Sequence, residues 1–100
     1  MVQEIVWTLR AREDVRRIHD YIAADSARYA QIQIQNIQSA VASLAEFPSL
    51  GRRVPEFAGL PYREIIVDNY RVIYRFEEIK GLVLIMSIIH GRQFLRKPPL

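Results

Sequence analysis

Four side chains in the second half of the chain could bind a phosphate or a carboxylate. They belong to Arg63, Arg71, His90 and Arg92. Arginine donates paired hydrogen bonds to both groups, and histidine can give or take a proton near neutral pH. Twelve of the fourteen basic residues are arginines, which favours directed contacts over a diffuse positive coat. If the four residues share one surface, that surface is suited to an anionic group.

The strand pattern predicts which of these side chains share a face. Side chains alternate along a strand, so Arg71 and Arg75 lie on one face of theirs. We expect this face to be open and concave. Arg63 lies on the same side if the hairpin register is regular, and His90 and Arg92 follow the adjacent strand. The opposite face should form the layer beneath the helices, with Tyr70, Val72, Tyr74 and Phe76.

A purely structural role for two of these residues stays open. Arg71 could pair with Glu64 or Asp68 across the hairpin, and His90 could simply end a strand. An exposed cross-strand ion pair adds only a few tenths of a kcal/mol.

The sequence predicts no metal site and no cofactor. Cysteine is absent, and His19 and His90 have no second histidine or carboxylate at ligand spacing. The four glycines are scattered singly, so there is no glycine-rich phosphate loop.

The residues that position this chemistry form three predicted strands. Residues 62–67 and 70–76 alternate and are rich in β-branched and aromatic side chains, and Asp68-Asn69 supplies a two-residue turn, which is typical of a β-hairpin. Residues 82–89 are nearly all apolar, which predicts a strand buried on both faces at the centre of a sheet.

The first half of the chain predicts a strand and two helices. Residues 2–7 form the strand, and Thr8 can cap a helix over residues 9–24. A second helix covers residues 27–46 before Pro48 and Gly51, and residues 52–60 form a loop. The short connection between the helices makes them an antiparallel hairpin. The second helix carries an apolar stripe at Ala30, Ile34, Ile37, Val41 and Leu44.

Together these elements predict an α+β domain in which a helical hairpin packs on one face of a mostly antiparallel four-stranded sheet. One hundred residues make a single domain, 1–100, with a short basic tail at 96–100 that we expect to be mobile. There is no apolar run of about 18 residues and no signal-peptide pattern, so we expect a cytoplasmic protein. The net charge of +3 fits an acidic partner or nucleic acid.

Several short motifs, in this order, resemble the RelE/ParE superfamily of toxins from type II toxin–antitoxin systems. They are Val6-Trp7-Thr8, Tyr62-Arg63, Tyr70-Arg71-Val72-Ile73-Tyr74-Arg75 and His90-Gly91-Arg92-Gln93. The resemblance spans nearly the whole chain, and its order of elements matches the predicted fold. The phrase His-Gly-Arg after an apolar strand is more typical of the ParE branch.

The resemblance implies one of two activities. Ribonuclease members cleave messenger RNA on the ribosome without a metal, and Arg63, Arg71 and Arg92 match three of their basic positions. Ile65 stands where a further basic residue is expected, and the late tyrosine is missing, although His90 could act as acid or base. ParE-like members instead inhibit DNA gyrase, with toxicity associated with the C-terminal region, and need only a binding surface.

The incomplete catalytic set favours a ParE-like gyrase inhibitor, held inactive in a hetero-oligomer with its antitoxin. The alternatives are a RelE-like ribosome-dependent mRNA interferase using Arg63, Arg71, His90 and Arg92, and a degenerate toxin that only binds its antitoxin. Tyr21, Tyr29 and Ile32 fall outside the apolar stripe, so we expect them to bind an antitoxin helix unless they fill the contact between the two helices.

Overall fold

The computed structural model describes residues 2–93 and residue 95. The elements are β1 (Glu4–Trp7), α1 (Leu9–Ala23), α2 (Ala27–Ala42), β2 (Arg52–Arg53), β3 (Tyr62–Val67), β4 (Tyr70–Glu77) and β5 (Leu82–His90). Short 3-10 turns occupy Ser43–Ala45 and Pro55–Phe57. The α+β class is confirmed. The expected tail at 96–100 lies outside the described residues.

The sheet has five strands in the order β1-β5-β4-β3-β2, rather than the four expected. The additional strand is β2, which has two residues and pairs antiparallel with β3 at the edge of the sheet. Two residues are too few for an alternation signal, so the segment 52–60 was wrongly predicted to be all loop. β1 runs parallel to β5, and β5 and β4 are antiparallel. The apolar β5 therefore lies inside the sheet, as predicted, although β4 is the middle strand.

Both helices begin at side-chain caps, and the first of these is the predicted Thr8. Thr8 Oγ1 accepts a hydrogen bond from the Ala11 N–H at 3.2 Å and donates one to the Ile85 carbonyl at 2.6 Å, so the cap also ties α1 to β5. Ser26 Oγ accepts from the Tyr29 N–H at 3.1 Å. The second helix is shorter than the predicted 27–46, because its last turn tightens into the 3-10 turn at Ser43–Ala45.

The main core lies between the helical hairpin and the sheet, where the apolar stripe of α2 meets the predicted layer of β4. Tyr74 is fully buried there. Its hydroxyl donates to the Pro48 carbonyl at 2.8 Å and accepts from the Gly51 N–H at 2.8 Å. Burial raises the pKa of this hydroxyl, so it stays protonated and keeps donating.

The other face of the sheet is not open, and our expectation of an exposed concave surface there was wrong. A second apolar cluster covers it, formed by Val54, Phe57, Tyr62, Ile73, Met86, Ile89 and Leu95. The covering side chains come from the segment between β2 and β3 and from Leu95 after β5. A strand that is apolar on both faces has to be covered on both faces, because exposed apolar area is unfavourable in water.

The buried carboxylate of Asp14 binds β5 just beyond the point where β1 ends. β1 stops at Trp7, opposite Ile85, and α1 then runs beside the rest of β5. Asp14 of α1 accepts hydrogen bonds at 2.9 Å from the Ser87 hydroxyl and from the Ile88 backbone N–H. The side chain thus bonds a backbone donor beyond the end of β1.

Candidate target-binding site

The structure places Arg71 in a buried ion-pair network rather than on an exposed surface. Only 6% of the residue is exposed. Nη1 and Nη2 donate to the two oxygens of Glu56 at 2.7 Å each, and Nε donates to Glu64 at 2.6 Å. Nη1 also donates to the Gln93 carbonyl at 3.0 Å. The guanidinium is therefore engaged on every side by protein acceptors.

Of the two pairings considered from the sequence, Glu64 is the partner of Arg71 and Asp68 is not. Glu64 is itself buried and also accepts from the exposed Arg52 at 2.6 Å. Asp68 sits in the hairpin turn with a positive φ of 54° and accepts from the Gln33 and Asn36 side chains.

The Glu56 and Arg71 charges stabilise each other. Hydrogen bonds from Arg71 are the main reason why the pKa of Glu56 falls from 4.5 to about 2, and a bond from the Leu95 N–H adds to this while burial opposes it. The pKa of Arg71 is raised, chiefly by its hydrogen bonds to Glu56. Both groups are thus ionised over the whole physiological range.

Arg63 lies on the opposite face from Arg71, so our expectation that they share a face was wrong. The two-residue turn pairs Val67 with Tyr70, and the same register pairs Arg63 with Tyr74, whose side chain faces the helices. Arg63 Nη1 donates to the Gly51 carbonyl at 2.8 Å. Paired residues project to the same face, so this register separates Arg63 from Arg71.

His90 and Arg92 are exposed neighbours at the end of β5. His90 pairs with Tyr70, and their rings meet edge to face with centroids 5.9 Å apart. His90 Nδ1 lies 3.3 Å from the Arg92 backbone nitrogen and accepts its N–H, which leaves Nε2 for an outside contact. Of the four predicted residues, these two alone form an exposed pair.

Two hollows meet at this end of the sheet. A groove of about 630 Å³ between α1 and β5 includes Arg10, Tyr21, Tyr70 and His90 in its lining. A second hollow of about 540 Å³ is lined by Pro55, Glu56, Arg71, Gly91, Arg92 and Gln93. Gln93 borders both.

The three residues expected to bind an antitoxin are exposed on the helical hairpin. Tyr21 is 79% exposed, Tyr29 69% and Ile32 41%, so these side chains do not fill the contact between the helices. Tyr21 also reaches the groove that contains His90, which links the two surfaces that the sequence had suggested separately.

Within residues 2–93 and 95, no three histidine, aspartate or glutamate side chains come together in a way that could hold a metal ion. No helix in this part of the chain is long and apolar enough to cross a membrane.

A parallel β1–β5 pair, antiparallel pairing among the other strands and a helical hairpin on one face define an α+β fold. The family described as "ParE toxin of type II toxin-antitoxin system, parDE" matches residues 5–94. The chain belongs to this family and is a toxin of a type II toxin–antitoxin system. The superfamily suggested by the sequence motifs is therefore confirmed.

Relatives carry names from both branches of the superfamily. Toxin RelE2 of Caulobacter vibrioides is 39% identical over 88 residues, which is 88% of this chain and 94% of that protein. A chain of the chromosomal ParDE system from P. aeruginosa superposes with a TM-score of 0.73 at 20% identity, covering 89% of this chain and 96% of that one. A chain of the RelBE2 toxin–antitoxin complex from Mycobacterium tuberculosis gives 0.60 at 19% identity, covering 90% and 99%. These structures share the fold.

Sequence reasoning missed Glu56 and the backbone of Gln93 and Leu95 as partners of the site. Glu56 lies 15 residues before Arg71 in a segment without strand periodicity. An available signal was Glu56 itself, which is the one charged residue in the apolar stretch from Val54 to Pro61. The face of Arg63 could have been found by counting outward from the Asp68-Asn69 turn.

Proposed function

We propose that this toxin acts by binding, as a non-enzymatic inhibitor of DNA gyrase, and not as a ribonuclease. The observation that carries the proposal is the engagement of Arg71 by two buried carboxylates, Glu56 and Glu64. An arginine that stabilises a phosphorane must turn its donors toward the substrate. Here those donors already have carboxylate and carbonyl acceptors inside the protein.

The rest of the ribonuclease set is also dispersed. Metal-independent RNA cleavage needs a base, an acid and a cation around one phosphate. Arg63 lies on the face opposite Arg71, which leaves His90 and Arg92 as the exposed members of the set. A binding surface needs no such constellation, and arginine and aromatic side chains are enriched in it. The exposed His90 and Arg92 beside the half-buried Tyr70 match that composition.

A supercoiling assay with purified gyrase and relaxed plasmid tests the proposal. We expect micromolar toxin to inhibit supercoiling, and a His90→Ala/Arg92→Ala double variant to need at least tenfold more protein. Arg28→Ala, which removes an exposed arginine from α2, is the matched control and should inhibit like the wild type. Unchanged supercoiling at micromolar toxin would refute gyrase inhibition.

The mRNA interferase alternative makes the opposite prediction in cells. Its best support is the exposed His90, whose Nδ1 accepts the Arg92 backbone N–H. On induction of the toxin we expect intact messages together with DNA damage and filamentation. Messages cut at the ribosomal A site, with loss of cutting in His90→Ala, would replace the gyrase proposal with the interferase. If induction causes neither message cleavage nor DNA damage, the degenerate toxin that only binds its antitoxin is favoured.

We also propose that a cognate antitoxin helix covers the exposed apolar residues of the helical hairpin, in a cytoplasmic hetero-oligomer. Tyr21, Tyr29 and Ile32 support this because large exposed apolar side chains on a small protein commonly mark an interface. The positive net charge suits an antitoxin of opposite charge, since electrostatic attraction speeds encounter while apolar burial supplies most of the affinity.

Calorimetry on the purified toxin and antitoxin tests this surface. Ile32→Glu and Tyr29→Glu should each weaken binding by tenfold or more and leave the toxin folded, because both side chains are exposed. Gln38→Glu places the same charge at another exposed position of α2 and should bind normally. Wild-type affinity in both folded variants would move the antitoxin to another surface.

A further inference from the structure

Three separate parts of the chain meet at Glu56 and Arg71. Glu56 belongs to the 3-10 turn between β2 and β3, Arg71 to β4, and the third part is the segment after β5. Glu56 Oε2 accepts the Leu95 backbone N–H at 3.0 Å, and Arg71 Nη1 donates to the Gln93 carbonyl at 3.0 Å. We call this arrangement the clasp: the Glu56–Arg71 ion pair together with the backbone groups of Gln93 and Leu95 that it binds.

The clasp acts together with an apolar anchor. The Leu95 side chain is only 5% exposed and belongs to the cluster that includes Phe57, Met86 and Ile89. The segment also begins with a turn in which the Gln93 N–H donates to the His90 carbonyl at 2.9 Å. Backbone and side chain are thus both held on the sheet face away from the helices.

Covering this face does not by itself call for charges. Apolar side chains of similar size would cover it at least as well, because desolvation offsets much of the attraction in a buried ion pair. What the ion pair adds is direction, since it binds a carbonyl and an N–H of the same short segment. Three residues of this segment, Gly91, Arg92 and Gln93, form part of the lining of the second hollow.

We propose that Glu56 and Arg71 are positioning residues that hold the described residues after β5, which are Gly91–Gln93 and Leu95, in the conformation that contacts the target. This proposal rests on the proposed inhibition of gyrase. The ion pair acts through the segment and not by touching the target, because both side chains of the pair are more than nine-tenths buried.

The test combines hydrogen exchange at the Leu95 amide with the supercoiling assay on the full chain. In Glu56→Ala we expect exchange at Leu95 to speed up at least tenfold more than exchange at the amides of β4 and β5, which report the loss of global stability. The concentration needed for half inhibition should rise at least tenfold. Leu95→Ala removes the apolar anchor without disturbing a buried charge, and it should also raise the concentration needed for half inhibition. Arg52→Ala, which removes the exposed partner of Glu64, is the control and should match the wild type in both assays.

The two readouts separate the possible failures. Wild-type protection of Leu95 in Glu56→Ala would overturn the clasp itself. Faster exchange in both variants with wild-type inhibition would overturn the positioning role and leave gyrase inhibition standing. A wild-type protein that does not inhibit gyrase would overturn the proposed function and with it this use of the segment, although the exchange data would still establish whether the clasp exists. If Glu56→Ala does not fold, Leu95→Ala decides between the same outcomes.

Discussion

Replacing Arg71 by methionine should be among the most destabilising single changes in this protein. Methionine keeps the unbranched stem of the side chain but removes the guanidinium, leaving Glu56 and Glu64 buried without the arginine that binds both. Removing one member of a buried ion pair costs about 3–5 kcal/mol. Small domains have total stabilities of roughly 5–15 kcal/mol, so the variant should be marginally folded. At about 4 °C or more per kcal/mol for a domain of this size, Tm should fall by at least about 12 °C.

The loss should depend on pH in a defined direction. The pKa of Glu56 is about 2 in the folded wild type against an ordinary 4.5, which corresponds to roughly 3 kcal/mol of stability. A lowered pKa stabilises the fold fully above pH 4.5, and that contribution disappears as the pH falls toward 2. Without Arg71 this carboxylate is no longer stabilised as an anion. The stability gap between wild type and Arg71→Met should therefore be widest near pH 7 and shrink toward pH 2.

Urea unfolding followed by circular dichroism at pH 7 and pH 3 measures both effects. Arg52→Ala is the control, because it removes an arginine whose side chain is 64% exposed, and it should lie within about 1 kcal/mol of the wild type at pH 7. An Arg71→Met variant as stable as this control at pH 7 would refute the reasoning. So would a stability gap that is the same at both pH values.

Two further changes test the packing around the sheet. Asp14→Ala leaves the Ile88 N–H and the Ser87 hydroxyl without their acceptor and should cost about 1–3 kcal/mol in urea unfolding, so a loss below 0.5 kcal/mol would contradict this role. Gly51→Ala should lower stability by about 1–3 kcal/mol in thermal melts, because the new Cβ would lie 2.6 Å from the Glu64 carbonyl and 2.7 Å from the Tyr74 ring; an unchanged Tm would show that the backbone there moves freely.

The sequence by itself determined the elements whose signals are local. Apolar periodicity placed both helices, with the cap at Thr8 marking the start of the first, and alternation around a two-residue turn placed β3 and β4 with their register. The face of Arg63 was also determined by the sequence, since a turn that pairs Val67 with Tyr70 must pair Arg63 with Tyr74. That error came from assigning the face by strand pattern instead of counting from the turn.

Only the tertiary structure decided what Arg71 does. The sequence shows an arginine at an alternate position of a strand, and such a residue is equally compatible with an open basic face and with a buried network. The outcome depends on Glu56, which belongs to a segment without regular periodicity, and on Leu95 beyond the last strand. These contacts form because the apolar side chains on that face of β4 and β5 have to be covered. The segment between β2 and β3 covers them, and it contains Glu56. Long-range burial leaves no local pattern in the sequence. The buried role of Arg71 can therefore be recognised only in the folded chain.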